Sequence, residues 1–486
     1  MHTLADLDQN LVRTASYVDG KWQQSESKYP VINPATDEQI AEVSDASIEL
    51  AEQAVVAAKK ALPAWSALAP KARQTIMMKW FNLIMENKDT LGTLLTIEQG
   101  KCLPEGKGEI AYGAAYIEWF AEEGKRVYGD TILPPSQDKQ IVVVKQPVGV
   151  VTAITPWNFP SAMMVRKAAA ALAAGCTFVV RPSELTPLSA LAIAELAEQA
   201  GIPAGVFNVV TSHDAVGVGK VLTQHPDVSK FSFTGSTRVG KLLSAQCADG
   251  VKKVTMELGG NAPFIVFDDA DIDAAVKGAM GSKYRNAGQV CVCTNRFLIH
   301  NSVKAEFTEK FLAAVKELKL GNGQDADTRV SPMISTKAVA GVKQLVDGAI
   351  EQGATLLTGG NKDEQGEHFY QPTVLTDVTN DMTIARTEIF GPVSTIIGFD
   401  TEQEALQIAN DTEYGLAAYF YSRDIGRVWR VSRGLDFGMV GANEGVISNV
   451  AAPFGGIKQS GSGREGSKYG LDDYLEIKYI CMGGLG

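Results

Sequence analysis

Histidine and cysteine are both scarce in this chain, at five and six residues among 486. The histidines (His2, His213, His225, His300 and His368) share no motif, which argues against a Cys-His hydrolase. Four cysteines are scattered and only Cys291 and Cys293 lie close together, so neither a disulfide framework nor a zinc site is expected. No metal is expected at all. Positive charge is also short: 45 basic residues against 56 acidic ones leave a net charge of −11, which disfavours nucleic acid or an anionic membrane as partner. The longest small-apolar run, residues 168–180, falls short of the ~20 residues that cross a bilayer. The opening stretch MHTLADLDQNLVR has acidic residues and no apolar centre, unlike a signal or transit peptide. A reducing, cytoplasmic setting is the simplest expectation. Repeats of solenoid period and low-complexity segments are missing too.

What remains is an ordinary globular composition, 45% hydrophobic and 21% charged, with length enough for two to four domains at roughly 100–200 residues each. Short strands with Asp-Gly and Asn-Pro turns open the chain, and helical spacing begins over 48–62 and continues to about 127. From VGVVTAITPW onward, strand-like runs (VGVVTAI, TFVVRP, VFNVVT, KFSFTGS) alternate with helices expected to start near Ser161, Pro187, Asp214 and Ser236. This alternation predicts a parallel, doubly wound sheet. A second alternating block runs from APFIVFDD to about 460. Segments 130–145 and 473–480 read as extended pieces outside both blocks, able to pair with each other or with another subunit.

Four stretches carry chemistry. FTGSTRVG puts Gly235 at a strand end and Gly240 one turn into a helix, where backbone N–H groups can hold a pyrophosphate; a plain strand-helix turn explains it equally. In TPWNFP, Asn158 sits on a rigid corner where its amide could serve an oxyanion or satisfy turn carbonyls. Glu257, just before a Gly-Gly pair at the junction of the blocks, has apolar neighbours that would raise its pKa and suit it as a base. In RNAGQVCVC, Gly288 permits close backbone approach, and Cys291 reads as an exposed nucleophile whose base, in the absence of a neighbouring histidine, would be Glu257. Cys293 reads either as an apolar filler or as a resolving thiol able to form a strained, readily reduced disulfide with Cys291.

TPWNFP, GSTRVG, MELGGNAPFIVFDDAD, GQVCVC, EIFGPV and PFGGIKQSGSGREG occur in that order, and the set resembles the aldehyde dehydrogenase superfamily over essentially the whole chain. The resemblance implies an aldehyde dehydrogenase-like α/β fold. A Rossmann-like nucleotide-binding domain would occupy 1–125 and 148–257, a catalytic domain 258–460, and a small β oligomerisation element 126–147 and 461–486. It implies Cys291 as nucleophile, Glu257 as base, Asn158 with the Cys291 N–H as oxyanion donors, and Lys167 and Glu465 as a proton relay. NAD, with NADP possible, would lie against Thr155, Pro156, Trp157, Gly235, Ser236, Leu258, Glu388 and Phe390. Its adenine ribose would meet Arg181 (where the family usually carries lysine), Ser183 and Glu184. KYRNAGQVCVC, NEGVISNVAAPFGGIKQSGSGREGSKYG and YLEIKYICMGGL are most similar to succinate-semialdehyde dehydrogenases. By that match Arg166, Arg285 and Ser448 would clamp a substrate carboxylate, with Phe159 and Phe454 lining the acyl path. Glutarate semialdehyde differs by one methylene, worth only ~1–3 kcal/mol of discrimination. A broader-specificity enzyme and, in another class, a cysteine thioesterase are the alternatives. A homodimer or homotetramer is implied.

Overall fold

The computed structural model describes residues 1–485. Two large sheets organise it. The first has eight strands, and at its centre four run parallel in the spatial order Lys253–Glu257, Val228–Thr234, Val150–Ile154, Thr177–Arg181. Phe207–Val209 follows, then a hairpin of Ser16–Val18 and Lys21–Gln23 turned by Asp19 and Gly20, both at positive φ. The second sheet has seven strands with Ala262–Val266 between Thr294–His300 and Ala417–Tyr421; every pairing in it is parallel except the one at the Thr355–Thr358 edge. Val, Ile and Phe fill these central strands on both faces, as expected for sheets covered by helices on each side.

In the first sheet the connections run from Val150–Ile154 outward in one direction and from Val228–Thr234 outward in the other. A crevice therefore opens between those two strands at their carboxyl ends, the place where doubly wound sheets bind ligands. The helix after Val150–Ile154, Pro160–Ala174, is buried at all fifteen positions. Its alanines let the Leu103–Glu123 helix approach so closely that a Cβ on Gly113 would stand 3.2 Å from Ala162 Cα. Gly175, at φ +95°, closes it in the left-handed conformation that glycine adopts without strain.

Two boundaries differ from the sequence expectation. The first helix runs Ile48–Ser66, through Pro63, because Trp65 is anchored beyond it: the indole is buried and donates to the Leu172 carbonyl at 3.1 Å. The helix expected near Asp214 begins at Gly217. Asp214 lies outside it and accepts the N–H groups of Val216 and Gly217 at 3.1 and 2.8 Å. Leu475–Met482 pairs antiparallel with Gln140–Pro147, which also pairs with Asp130–Ile132, giving a three-stranded sheet with much of its surface open. Gly461–Ser462 does not join it; it edges the first sheet beside Met256 and Glu257.

Among the described residues no helix is long and apolar enough to cross a membrane, and no cluster of His, Cys, Asp and Glu could hold a metal ion. All six cysteines are unpaired.

The Pro187–Ala200 helix has no cap of its own. Glu98, fully buried, supplies one from another helix, accepting from Leu188 N at 2.5 Å, Ser189 N at 3.0 Å and Ser189 Oγ at 2.6 Å. Glu98→Ala would strand three donors in the interior and is expected to cost about 3 kcal/mol or more, at ~1–3 kcal/mol per unmet group. Urea denaturation checks this; an unchanged midpoint would mean that water replaces the carboxylate.

Candidate active site

The chain passes from the first sheet to the second between Glu257, which ends one strand, and Ala262, which starts the next. Carboxyl ends of first-sheet strands thus face amino ends of second-sheet strands, and a cavity of about 580 Å³ lies between them. Pro156, Trp157, Asn158, Phe159 and Arg166 line one side, and Gly235, Ser236, Glu257 and Leu258 the sheet end. The second block contributes Arg285, Cys291, Glu388, Phe390, Ser448 and Phe454. Thr155, Lys167, Arg181, Ser183, Glu184, Glu465 and Cys293 do not reach the wall.

Cys291 precedes a central strand of the second sheet, on a loop under strain. Asn286, Ala287 and Gly288 all adopt positive φ (49°, 54° and 73°), and for the two non-glycine residues this costs roughly 1–2 kcal/mol each. The surroundings hold it there. Asn286 N–H donates to Glu105 at 3.0 Å, and its amide to the Asn158 carbonyl at 3.1 Å. Gly288 is needed for space as well as φ: a Cβ would fall 2.2 Å from the Gly391 carbonyl. Cys291 is partly exposed to the cavity, and desolvation of its thiol by the surrounding protein pushes it up to about 12. Among the described residues the Cys291 N–H makes no hydrogen bond, so it is open to a ligand. Asn158 turns its amide toward the same loop and donates to the Gln289 carbonyl at 2.9 Å. That fulfils the turn-carbonyl reading with one N–H and leaves the other unused.

Glu257 is buried with neither carboxylate oxygen hydrogen-bonded. Burial, reinforced by the negative charge of Glu465, raises its pKa well above the ordinary carboxylate range. Behind it Lys167 bonds to Glu465, and the Arg166 Nε stands 2.5 Å from the other Glu465 oxygen without hydrogen-bond alignment. Those two cations hold Glu465 below its usual range despite burial. Arg166 is therefore already engaged on one side before any ligand binds. It is tied to Glu465 and stacked on Phe454, 4.4 Å from the ring centre; its Nη2 meets the Met163 sulfur at 3.1 Å, and its Nη1 is buried with neither an ion-pair nor a hydrogen-bond partner. Arg285 Nε is likewise unpartnered, and its guanidinium lies 5.9 Å from the Phe159 ring.

The nucleotide end can be tested against orphaned groups. Thr155 Oγ1, Arg181 Nε and Thr234 Oγ1 are buried without partners around the crevice, a donor set suited to a sugar-phosphate ligand. Gly235 does not offer its own N–H, which is taken by the Glu257 carbonyl at 3.0 Å; the open amides begin at Ser236, the N-cap of the next helix. Arg181 donates to Glu184 at 3.1 Å and to the Ser212 carbonyl at 2.7 Å, so the charge of Glu184 is already matched. Glu388, raised by burial to about 7, accepts the Gly260 N–H at 3.0 Å. Phe390, at φ 51°, meets Trp157 edge-on at 5.6 Å. Cys293 packs away from the cavity, its thiol 3.4 Å from the Lys283 carbonyl, as a filler would.

Residues 22–480 match the aldehyde dehydrogenase family. The chain is 55% identical to the 3-sulfolactaldehyde dehydrogenase of Pseudomonas putida, over 98% of this chain and 99% of that one. It is 54% identical to the NADP-dependent succinate-semialdehyde dehydrogenase of Escherichia coli, with the same coverage. The crystal structure of a succinate-semialdehyde dehydrogenase from Burkholderia pseudomallei superposes with a TM-score of 0.97 at 54% identity, covering 98% of this chain and 99% of that one.

Gly260 lies behind the cysteine loop, where a Cβ would sit 2.2 Å from the Cys291 carbonyl; a Cβ at Gly341, on the open face of a half-buried helix, would touch nothing within 4 Å. Gly260→Ala is expected to destabilise by about 1–3 kcal/mol through overpacking, and Gly341→Ala to be neutral or mildly stabilising. Urea midpoints measured side by side check this, and equal midpoints would mean that the loop yields freely.

Proposed function

The chain belongs to the aldehyde dehydrogenase family, and on that premise we propose that it oxidises succinate semialdehyde to succinate. The observation that carries the substrate reading is the pair of unpartnered arginine nitrogens, Arg166 Nη1 and Arg285 Nε, lining the cavity that holds Cys291. Guanidinium groups desolvated in this way call for an anion at the far end of the aldehyde. Ser448 adds a hydroxyl. A glutarate or sulfonate end would meet the same groups, so glutarate semialdehyde and 3-sulfolactaldehyde are the competitors to test.

In the proposed reaction the Cys291 sulfur adds to the aldehyde carbon and its proton passes to Glu257. The new oxyanion is held by the Asn158 amide and the Cys291 N–H, a pair whose loss would cost about 3–4 kcal/mol of barrier per donor. The cofactor is NAD or NADP. Glu388 and the amides from Ser236 onward would hold it, and its nicotinamide would supply the hydride acceptor that lets the thiohemiacetal become a thioester. With the thiol's proton relayed away through Lys167 and Glu465, Glu257 removes a proton from water, whose oxygen attacks the thioester. The acid leaves and the sulfur takes that proton from Glu257, restoring the thiol. Burial penalises thiolate and carboxylate alike, so the thiol proton is taken only in the fraction of sites where Glu257 is ionised. The six unpaired cysteines favour a reducing compartment such as the cytoplasm, and the open three-stranded sheet favours a homodimer or homotetramer.

Glu257→Gln should give one burst of reduced cofactor per site followed by slow turnover. Wild-type turnover should rise with pH through the raised Glu257 pKa, as the base form accumulates, and the variant should lack that limb. Steady turnover without a burst would place Glu257 in an earlier step. Arg285→Ala should raise KM at least tenfold more for succinate semialdehyde than for butanal, the loss of a charged hydrogen bond costing roughly 1.5–3 kcal/mol. Equal changes for both would assign Arg285 to the loop and not to the ligand.

A further inference from the structure

The cavity has a third group of buried charges which the reaction above does not use. Lys101 and Glu109 form an ion pair of 2.6 Å with side chains 1% and 0% exposed. The ammonium of Lys101 also donates to the backbone carbonyl of Asn158 at 2.7 Å and rests on the Phe159 ring, 4.1 Å from its centre. The other Glu109 oxygen accepts the N–H groups of Ser161 and Ala162, at 3.0 and 3.1 Å. Those amides open the Pro160–Ala174 helix, which has no side-chain cap of its own. One ion pair thus grips the corner carrying Asn158 from both sides, by the carbonyl before the turn and the amides after it. The same Asn158 carbonyl receives the amide of Asn286 from the strained loop.

We propose that Lys101 and Glu109 are positioning residues for oxyanion binding: they fix the Asn158 corner against the Cys291 loop so that the free amide N–H of Asn158 meets the developing charge. Stability alone does not account for them. A buried ion pair returns little net stability, because desolvation consumes most of the Coulombic gain, and replacing both partners with neutral groups is often tolerated. What the pair supplies is direction. The carboxylate holds two backbone amides and the ammonium one backbone carbonyl, and a displacement of about 1 Å at such a donor is enough to cost 10²-fold in rate. This inference rests on the reading of Asn158 as an oxyanion donor.

The test is the double variant Lys101→Met/Glu109→Gln, which removes both charges together and leaves none stranded. Succinate semialdehyde and butanal are each followed by the rate of the reduced-cofactor burst, with KM, nucleotide affinity and melting temperature alongside. The burst rate is expected to fall at least tenfold for both aldehydes alike, because both form the same oxyanion. KM and nucleotide affinity should stay within threefold, and the melting temperature within a few degrees. A merely structural pair would move melting temperature and nucleotide affinity together with rate, and a substrate-binding pair would move KM for the charged aldehyde alone; either result overturns the proposal, as does an unchanged burst. Should the double variant not fold, Glu109→Gln, which keeps an oxygen toward Ser161 and Ala162, is read for the same split, and an unchanged burst there overturns the proposal. Asn158→Ala, run in parallel, separates the two readings: a wild-type burst rate in that variant would remove Asn158 from oxyanion binding, and this inference with it.

Discussion

The dominant constraint on this molecule is desolvation at the seam between its two sheets. Glu257, Glu465, Arg166 and Lys167 are buried together there, each 3% exposed or less. Two cations against two carboxylates balance overall, but not locally. Glu465 draws both cations and stays ionised, which leaves Glu257 with unmet oxygens and a raised pKa. A single asymmetric pairing therefore turns two chemically identical side chains into a fixed anion and a proton acceptor. Opposite pKa pressures on neighbouring carboxyls are the usual way a protein divides acid and base roles.

The backbone geometry follows from the same seam. Strands of the first sheet must end, and those of the second begin, within one small cavity, so the connecting loops crowd together. Gly259 and Gly260 have room for hydrogen only, one against the Glu388 carboxylate and the other against the Cys291 carbonyl. The left-handed run at 286–288 and the left-handed Phe390 border the same space. Strain of this kind persists only where surrounding contacts over-determine it, and the bonds from Glu105 and Asn158 to Asn286 do so.

The alternation of strand-like and helix-like runs was legible in sequence because both sheets are parallel and buried, which writes continuous apolar runs between amphipathic ones. Boundaries failed where a tertiary contact outweighed a local signal: Trp65 carried a helix past Pro63, and Asp214 served as a cap and not as a first turn. Within the site, residue types beside glycine and proline corners drew attention to Asn158, Glu257 and Cys291. The attachment of Arg166 to Glu465 could not be read, because it joins residues far apart in the chain and depends on one carboxylate serving two neighbouring cations. Lys101 and Glu109 escaped for another reason. EQGKCLPEGKGEI reads as an ordinary charged helix start, and nothing local says that these two charges face inward.

Glu257 owes one side of its strand to Gly461–Ser462 and its counter-carboxylate to Glu465, both of which follow the entire second block in the chain. The first sheet consequently cannot finish its edge, nor the seam its charge balance, until that block has been synthesised. On the ribosome the early part of the chain waits with an unpaired strand edge and two buried cations lacking their shared anion. Such long-range closure slows folding and leaves a sticky intermediate. A chain stopped between Cys291 and Gly461 would carry Cys291 and Glu257 without Glu465, the shared partner of Arg166 and Lys167.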